Sequence, residues 1–234
     1  PNTVSFTGMA CGGLAGLCYW HWRDGAAYVL AGFALMVAWH VMDGLDGKLA
    51  RASGKTSPLG RLIDGLCDYL VFILVLLPLA FSIDPWPQTL ALALVSGIAH
   101  AVQSAWYEGE REAWKRRARG EYAATPRPPA RFWGERLYNN AEDALGRGAR
   151  AIDTALGRDP ALQEPYLVAT APLLRGLSVL SANNRTIVIA LACLAGDPRL
   201  YWYWEILGLT AIALIMAWRL RRREAMVAAR GIGG

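Results

Sequence analysis

Charge is scarce in this chain: Asp, Glu, Lys and Arg make up 18% of its 234 residues, where an ordinary soluble domain carries about 25%. Cysteine is sparse as well, and Cys11, Cys18, Cys67 and Cys193 show no close-paired spacing. That excludes a thiolate zinc site and a secreted disulfide framework, and leaves the four as small side chains within apolar runs. Cys67 stands beside Asp68, yet no obvious base accompanies it for thiol chemistry. Internal repeats and low-complexity tracts are also missing. The first apolar run lacks a basic leader and is followed by further runs, so no cleavable signal peptide is expected. The chain opens at Pro1, and an initiator segment is expected ahead of it.

What is present is apolar surface. Hydrophobic residues make up 54% of the chain, with ten tryptophans. They cluster into runs near 4–22, 26–50, 59–82, 87–106, 178–196 and 200–219, several approaching the roughly 20 residues that cross a bilayer. The expected fold is therefore an all-α integral membrane protein with about six transmembrane helices plus a cytoplasmic helical insertion. Residues 1–106 would hold the first four spans, 107–177 the insertion, and 178–234 the last two spans and a basic tail. The insertion starts with alternating charge from Glu108 to Arg119 and a linker from Thr125 to Pro129. Residues 136–157 then place Leu137, Ala141, Leu145, Ile152 and Leu156 on one helical face. Trp114, Phe132 and Trp133 are candidates for contact with the membrane surface, against a plain solvated hairpin.

Cations supply the orientation. If both chain ends face the cytoplasm, the outer loops near 21–25, 83–88 and 197–200 contain only Arg23 and Arg199 of the 24 Lys and Arg. This matches the positive-inside rule. The net charge of +5 then reflects topology and attraction to anionic lipid, with no nucleic-acid footprint. Arg219, Arg221, Arg222 and Arg223 read as an anchor at the end of the last span. Gly8, Gly12 and Gly16 form a small-residue stripe, suited either to close packing within the chain or to a dimer seam.

Against this background, a set of carboxylates at a lipid boundary stands out. Asp43 and Asp46 are three apart, and Asp64 and Asp68 four apart, so each pair shares one face of a helix. Acidic groups at such a boundary are costly to desolvate and need cations or water. Four of them facing one another would make a hard-cation site, suited to magnesium or manganese with a phosphate-bearing substrate. Between the pairs, Gly54, Ser57 and Pro58 form a break, with Ser57 a candidate N-cap and Pro58 a first helical residue.

The run Asp43-x-x-Asp46-Gly47-x-x-Ala50-Arg51, eight residues, Gly60-x-x-x-Asp64-x-x-x-Asp68 resembles, without a gap, the signature of the CDP-alcohol phosphotransferase family. The resemblance implies attack of an alcohol on a CDP-alcohol with release of CMP, using one or two Mg2+ or Mn2+ ions. It implies metal binding by Asp43, Asp46 and Asp64, and proton acceptance by Asp68, which also stands near the metal. Gly47, Ala50 and Gly60 would leave room for the nucleotide, Arg51 would pair with a phosphate or with one of the aspartates, and Arg61, beside Gly60, is a further candidate for nucleotide binding. Lys48 and Lys55 rank lower, and His40, one turn before Asp43, reads as a supporting residue. If the fifth span packs beside the aspartates as in the family, Asn183, Asn184 and Arg185 become candidates for the acceptor pocket.

About 25 residues also resemble the eukaryotic choline/ethanolamine phosphotransferases, which carry histidine where Gly65 stands and are longer. The compact layout favours CDP-diacylglycerol as donor and a small polar alcohol as acceptor: glycerol phosphate, inositol or its phosphate, serine or another. A homodimer in a bacterial inner membrane, with its site facing the cytoplasm, is expected by the same resemblance. A cation-coupled transporter and a non-catalytic membrane scaffold are the alternatives of other classes.

Overall fold

The computed structural model describes the backbone of residues 2–52, 58–123 and 150–230, with side chains described over 6–45, 69–123 and 150–230. Those residues are almost wholly helical and contain no strand. In chain order the helices are α1 (Asn2–Trp20), α2 (Ala26–Ala52), α3 (Pro58–Phe81), α4 (Trp86–Ala118), α5 (Ala151–Arg158), α6 (Gln163–Gly176), α7 (Ala182–Leu194), α8 (Arg199–Tyr203) and α9 (Thr210–Arg230). A π-helical turn, Trp204–Leu209, joins α8 to α9. The expected linker at Thr125–Pro129, the phenylalanine and tryptophan at 132–133, all of 136–149, and the N-cap Ser57 lie outside the described residues.

Local chemistry sets the helix ends. Proline at the first position of α3 has φ preset for a helix and gives up only an N–H that would have no intrahelical partner. Helices α4 and α7 close alike. Gly120 and Gly196 take φ of 77° and 85°, and the next residues donate back at 3.1 and 3.2 Å to the carbonyls of Arg116 and Ala192. Glycine is the residue that adopts this left-handed cap without strain.

Among the described residues, three helices are long and apolar enough to cross a membrane: Ala26–Leu45, Trp86–Ala118 and Arg199–Arg230. Pro160–Leu180 and Ala182–Leu194, taken together as one broken span, would make a fourth. The expectation of six spans thus stands at three to four on these residues. Part of the stretch read as too polar for lipid, 160–177, belongs to that pair.

The chain divides into two compact units, Pro1–Gly97 with Ala182–Glu205, and Ile98–Ser181 with Ile206–Gly234. In the first, α1 packs on both α2 and α3, and α2 packs on α7. Tyr19, Met36, Trp39, Val71, Val75, Leu79, Ile189, Tyr201 and Trp202 fill its core. The glycine stripe of α1 is used inside this unit. A Cβ on Gly8 would lie 3.2 Å from Trp39, and one on Gly12 2.6 Å from Val71. One on Gly16 would strike the Leu74 carbonyl. Backbone cannot yield as a flexible side chain can, so Gly16→Ala should separate α1 from α3 at a cost of about 1–3 kcal/mol. Gly13→Ala is the matched control, because a Cβ there meets nothing within 4 Å. The thermal midpoint in detergent should fall for the first variant and hold for the second.

Two turns of this unit also meet. Trp22 donates its indole N–H to Ser82 Oγ at 3.1 Å, and Arg23 donates to the Ser82 carbonyl at 3.1 Å. Arg199, in the third expected outer loop, pairs locally with Asp197 at 2.8 Å.

The second unit is organised around buried charge. Arg117, 1% exposed, donates to both oxygens of Asp153 at 2.8 and 2.9 Å, to Tyr166 at 3.0 Å and to Glu224 at 2.9 Å. Arg116 adds a bond to Asp153 at 3.0 Å. Arg150 joins Glu224 at 3.0 Å to Glu110 at 2.7 Å. Arg221 reaches the same two acids at 3.3 Å. The network ties the end of α4 to the start of α5 and to α9. Beside it, Ile152, Leu156, Leu162, Tyr166 and Val227 form a small apolar core. Trp114 packs against that core and donates to Thr170 at 3.0 Å, so its ring serves the interior of this unit.

The alternating charges of 108–119 therefore do two jobs. Glu108–Arg111 and Glu112–Lys115 are exposed pairs one turn apart, worth little each. Glu110, Arg116 and Arg117 are buried. At the chain end, Arg222 lies 5.4 Å above the Trp218 ring, a cation on an exposed aromatic in keeping with the anchor reading.

Candidate active site

The signature falls on two helices. Asp43, Asp46, Gly47, Ala50 and Arg51 lie on α2, and Gly60, Arg61, Asp64 and Asp68 on α3. Helical backbone at both pairs places Asp43 and Asp46 on one face of α2, and Asp64 and Asp68 on one face of α3. Asp43 is half-buried. The side chains of the other signature residues lie outside those described.

An aromatic contact brings the two helices together beside the signature. Trp39 of α2 meets Phe72 of α3 edge-on, with centroids 5.6 Å apart and planes at 87°. Both rings are buried. Trp39 precedes Asp43 by one turn, and Phe72 follows Asp68 by one turn. Since the chain leaves the contact along α2 and returns to it along α3, Asp43 and Asp68 lie on the same side of it. Gly8 of α1 abuts Trp39, so three helices converge there.

Helix α7 joins at the same level. His40, on α2, shares a hydrogen bond of 2.9 Å with Thr186 of α7. The residues just before Thr186 are the acceptor-pocket candidates. Asn183 is exposed, Asn184 half-buried, and Arg185 buried at 1% exposure. Arg185 Nε lies 3.0 Å from both oxygens of Glu205. Glu205 in turn accepts from the Tyr201 hydroxyl at 3.2 Å.

Sequence reasoning missed Glu205, Thr186 and the Trp39–Phe72 contact. A signal did exist for Glu205. It is an acid inside an apolar run, and such residues mark function by default. Its partner, 20 positions earlier, is not evident from spacing.

The residue types fit a hard divalent cation, since four carboxylates on two helices supply oxygen ligands and need no thiolate. Asp43, Asp46, Asp64 and Asp68 are the residues that would hold it. Among the described residues no group of three or more His, Cys, Asp or Glu side chains could hold a metal ion, and three of the four aspartates lie outside those with described side chains.

The pattern of the CDP-alcohol phosphatidyltransferase family matches residues 1–121, just over half of the chain and the whole of the signature. The chain belongs to this family, whose members are membrane enzymes that transfer substituted phosphate groups in phospholipid synthesis. With its apolar helices, this makes it an integral membrane protein. It is similar to the uncharacterized CDP-alcohol phosphatidyltransferase class-I family protein 3 of Dictyostelium discoideum, 48% identical over 44 residues. That alignment covers 19% of this chain and 11% of the relative, so the chain spans a small part of the relative's length. No solved structure gives a significant match.

Proposed function

We propose that this chain transfers a phosphatidyl group from CDP-diacylglycerol to a small polar alcohol and releases CMP. The observation that carries the reading is the complete signature on two helices held together by the Trp39–Phe72 contact. In this reading six spans cross a bacterial inner membrane, the aspartates face the cytoplasm, residues 107–177 form a cytoplasmic insertion, and the enzyme works as a homodimer. The excess of cations away from the three short loops supports that orientation.

The acceptor hydroxyl attacks the β-phosphorus of the CDP-alcohol. Its oxygen forms the new P–O bond, its proton passes to Asp68, and the bond to the CMP oxygen breaks with the electron pair leaving on CMP. Both the phosphodiester and the leaving group are anionic, so the barrier is largely electrostatic. Bound Mg2+ or Mn2+, held by Asp43, Asp46, Asp64 and Asp68, would supply neutralisation of the pyrophosphate. Gly47, Ala50 and Gly60 leave the helix surface open to the nucleotide. Arg51 and Arg61 orient its phosphates for in-line displacement. Asn183, Asn184 and Arg185 form the acceptor side, a placement supported by the His40–Thr186 bond.

A second reading follows from the likeness to choline/ethanolamine phosphotransferases: transfer of a phospho-alcohol from CDP-choline or CDP-ethanolamine to a lipid hydroxyl. CMP release by the protein in lipid with Mg2+ or Mn2+ tests both. CDP-diacylglycerol is offered with glycerol 3-phosphate, inositol, inositol phosphate or serine, and the CDP-amino-alcohols with diacylglycerol. Turnover that depends on a polar alcohol with the first donor is the expected result. Turnover only with the second set would establish the alternative. No binding of cytidine nucleotide or metal would sink both in favour of a transporter or scaffold.

A further inference from the structure

Neighbouring residues at the start of α7 join different helices. Thr186 meets His40 of α2 at 2.9 Å, and Arg185 meets Glu205 of the π-helical turn at 3.0 Å. Glu205 is 0% exposed and Arg185 1%. Burying both charges offsets most of their attraction, and a well-packed apolar pair would hold the same helices together at least as firmly. What the ion pair adds is direction, because carboxylate oxygens constrain a guanidinium far more narrowly than apolar packing does. The Tyr201 hydroxyl fixes the carboxylate in turn, at 3.2 Å. Its backbone is also unusual: a π-helical turn shifts the facing of its residues relative to an α-helix, and such turns recur at functional sites.

Direction matters here because of what lies one turn away. At the other end of α2, Tyr19 abuts Gly32 and is buried in one core with Cys193, near the end of α7. Helices α2 and α7 therefore run antiparallel, and Asn183 lies beyond the His40–Thr186 bond on the side of Asp43. We infer that Glu205 is a positioning residue for the acceptor subsite: through Arg185 it fixes the first turn of α7, and with it Asn183 and Asn184, beside the Asp43 end of α2. This rests on the reading of that turn as the acceptor side.

The test compares KM for the two substrates in the full chain in lipid nanodiscs. CDP-diacylglycerol is the donor, and the acceptor is whichever of glycerol 3-phosphate, inositol, inositol phosphate or serine supports turnover. Glu205→Gln keeps the shape and removes the charge, and should raise acceptor KM about tenfold with donor KM held within about twofold. The double variant R185M/E205L removes both buried charges, should keep its melting temperature, and should show the same acceptor-selective rise. A folded double variant with wild-type KM for both substrates would overturn the positioning role. So would equal rises for donor and acceptor. A wild type that releases no CMP from CDP-diacylglycerol with any of these acceptors overturns the reading of CDP-diacylglycerol as donor, and the positioning role with it, before any variant is made.

Discussion

Asp68→Asn should lower alcohol-dependent CMP release about a thousandfold while leaving the fold and cytidine-nucleotide binding in place. The amide keeps the size and the hydrogen-bonding capacity of the carboxyl but cannot take the hydroxyl proton. Positioned general bases contribute on the order of 10²–10⁴-fold. Asp43→Asn should fail differently. It removes one carboxylate from the donor set on α2, so its loss should be partly recovered by raising Mg2+ or Mn2+, whereas the Asp68 variant, which lacks the proton acceptor as well as a metal ligand, should keep most of its loss. Steady-state rates across a metal titration separate the two. Activity of Asp68→Asn within about tenfold of wild type would assign the proton to another group.

Asp153→Ala should cost the second unit about 3–5 kcal/mol, the range for removing one partner of a buried ionic network. Without that carboxylate, Arg116 and Arg117 lose three hydrogen bonds at 3.0 Å or less, and the backbone N–H of Arg150 loses a fourth at 2.9 Å. Trp106 and Trp114 lie in this unit, bonded to Glu110 and Thr170, and report its unfolding by fluorescence. The same residue sets an acid limit. Burial alone would raise the Asp153 pKa, but the hydrogen bonds and charge of Arg117, the Arg150 backbone N–H and the charge of Arg116 outweigh it and hold it below the usual carboxylate range. A depressed folded pKa contributes stability that is complete above the unfolded value of about 3.9 and is lost as pH falls through the folded one. Wild type should thus lose stability below about pH 4. Asp153→Asn should lack that part of the slope, so that the two melting curves converge in acid. Parallel curves would place the acid sensitivity elsewhere.

The helices of the signature were legible in the sequence because their determinants are local. Apolar runs without proline mark α2, Pro58 marks the start of α3, and the three- and four-residue spacings place the aspartates on shared faces. The glycine stripe was legible as close packing, but whether the partner is this chain or a second one was not. Spacing on one helix does not say which helix comes to meet it. The stretch 108–119 misled in part. An alternating pattern predicts solvated charge, and half of it is that, but Glu110 and Arg117 are buried because their partners arrive from Arg150, Asp153 and Glu224.

By itself, then, the sequence determined an α-helical membrane protein of a defined family, with its four acids on two helices. The helices and their shared acidic faces follow from short-range periodicity and hydropathy, and the family from the likeness of the signature. The tertiary structure decided what those helices lean on: Trp39 against Phe72, His40 against Thr186, and Arg185 against Glu205. These partners are separated by 20 to 146 positions along the chain. At such separations a residue's type tells what it can bond, and only the packing of helices determines which group it finds.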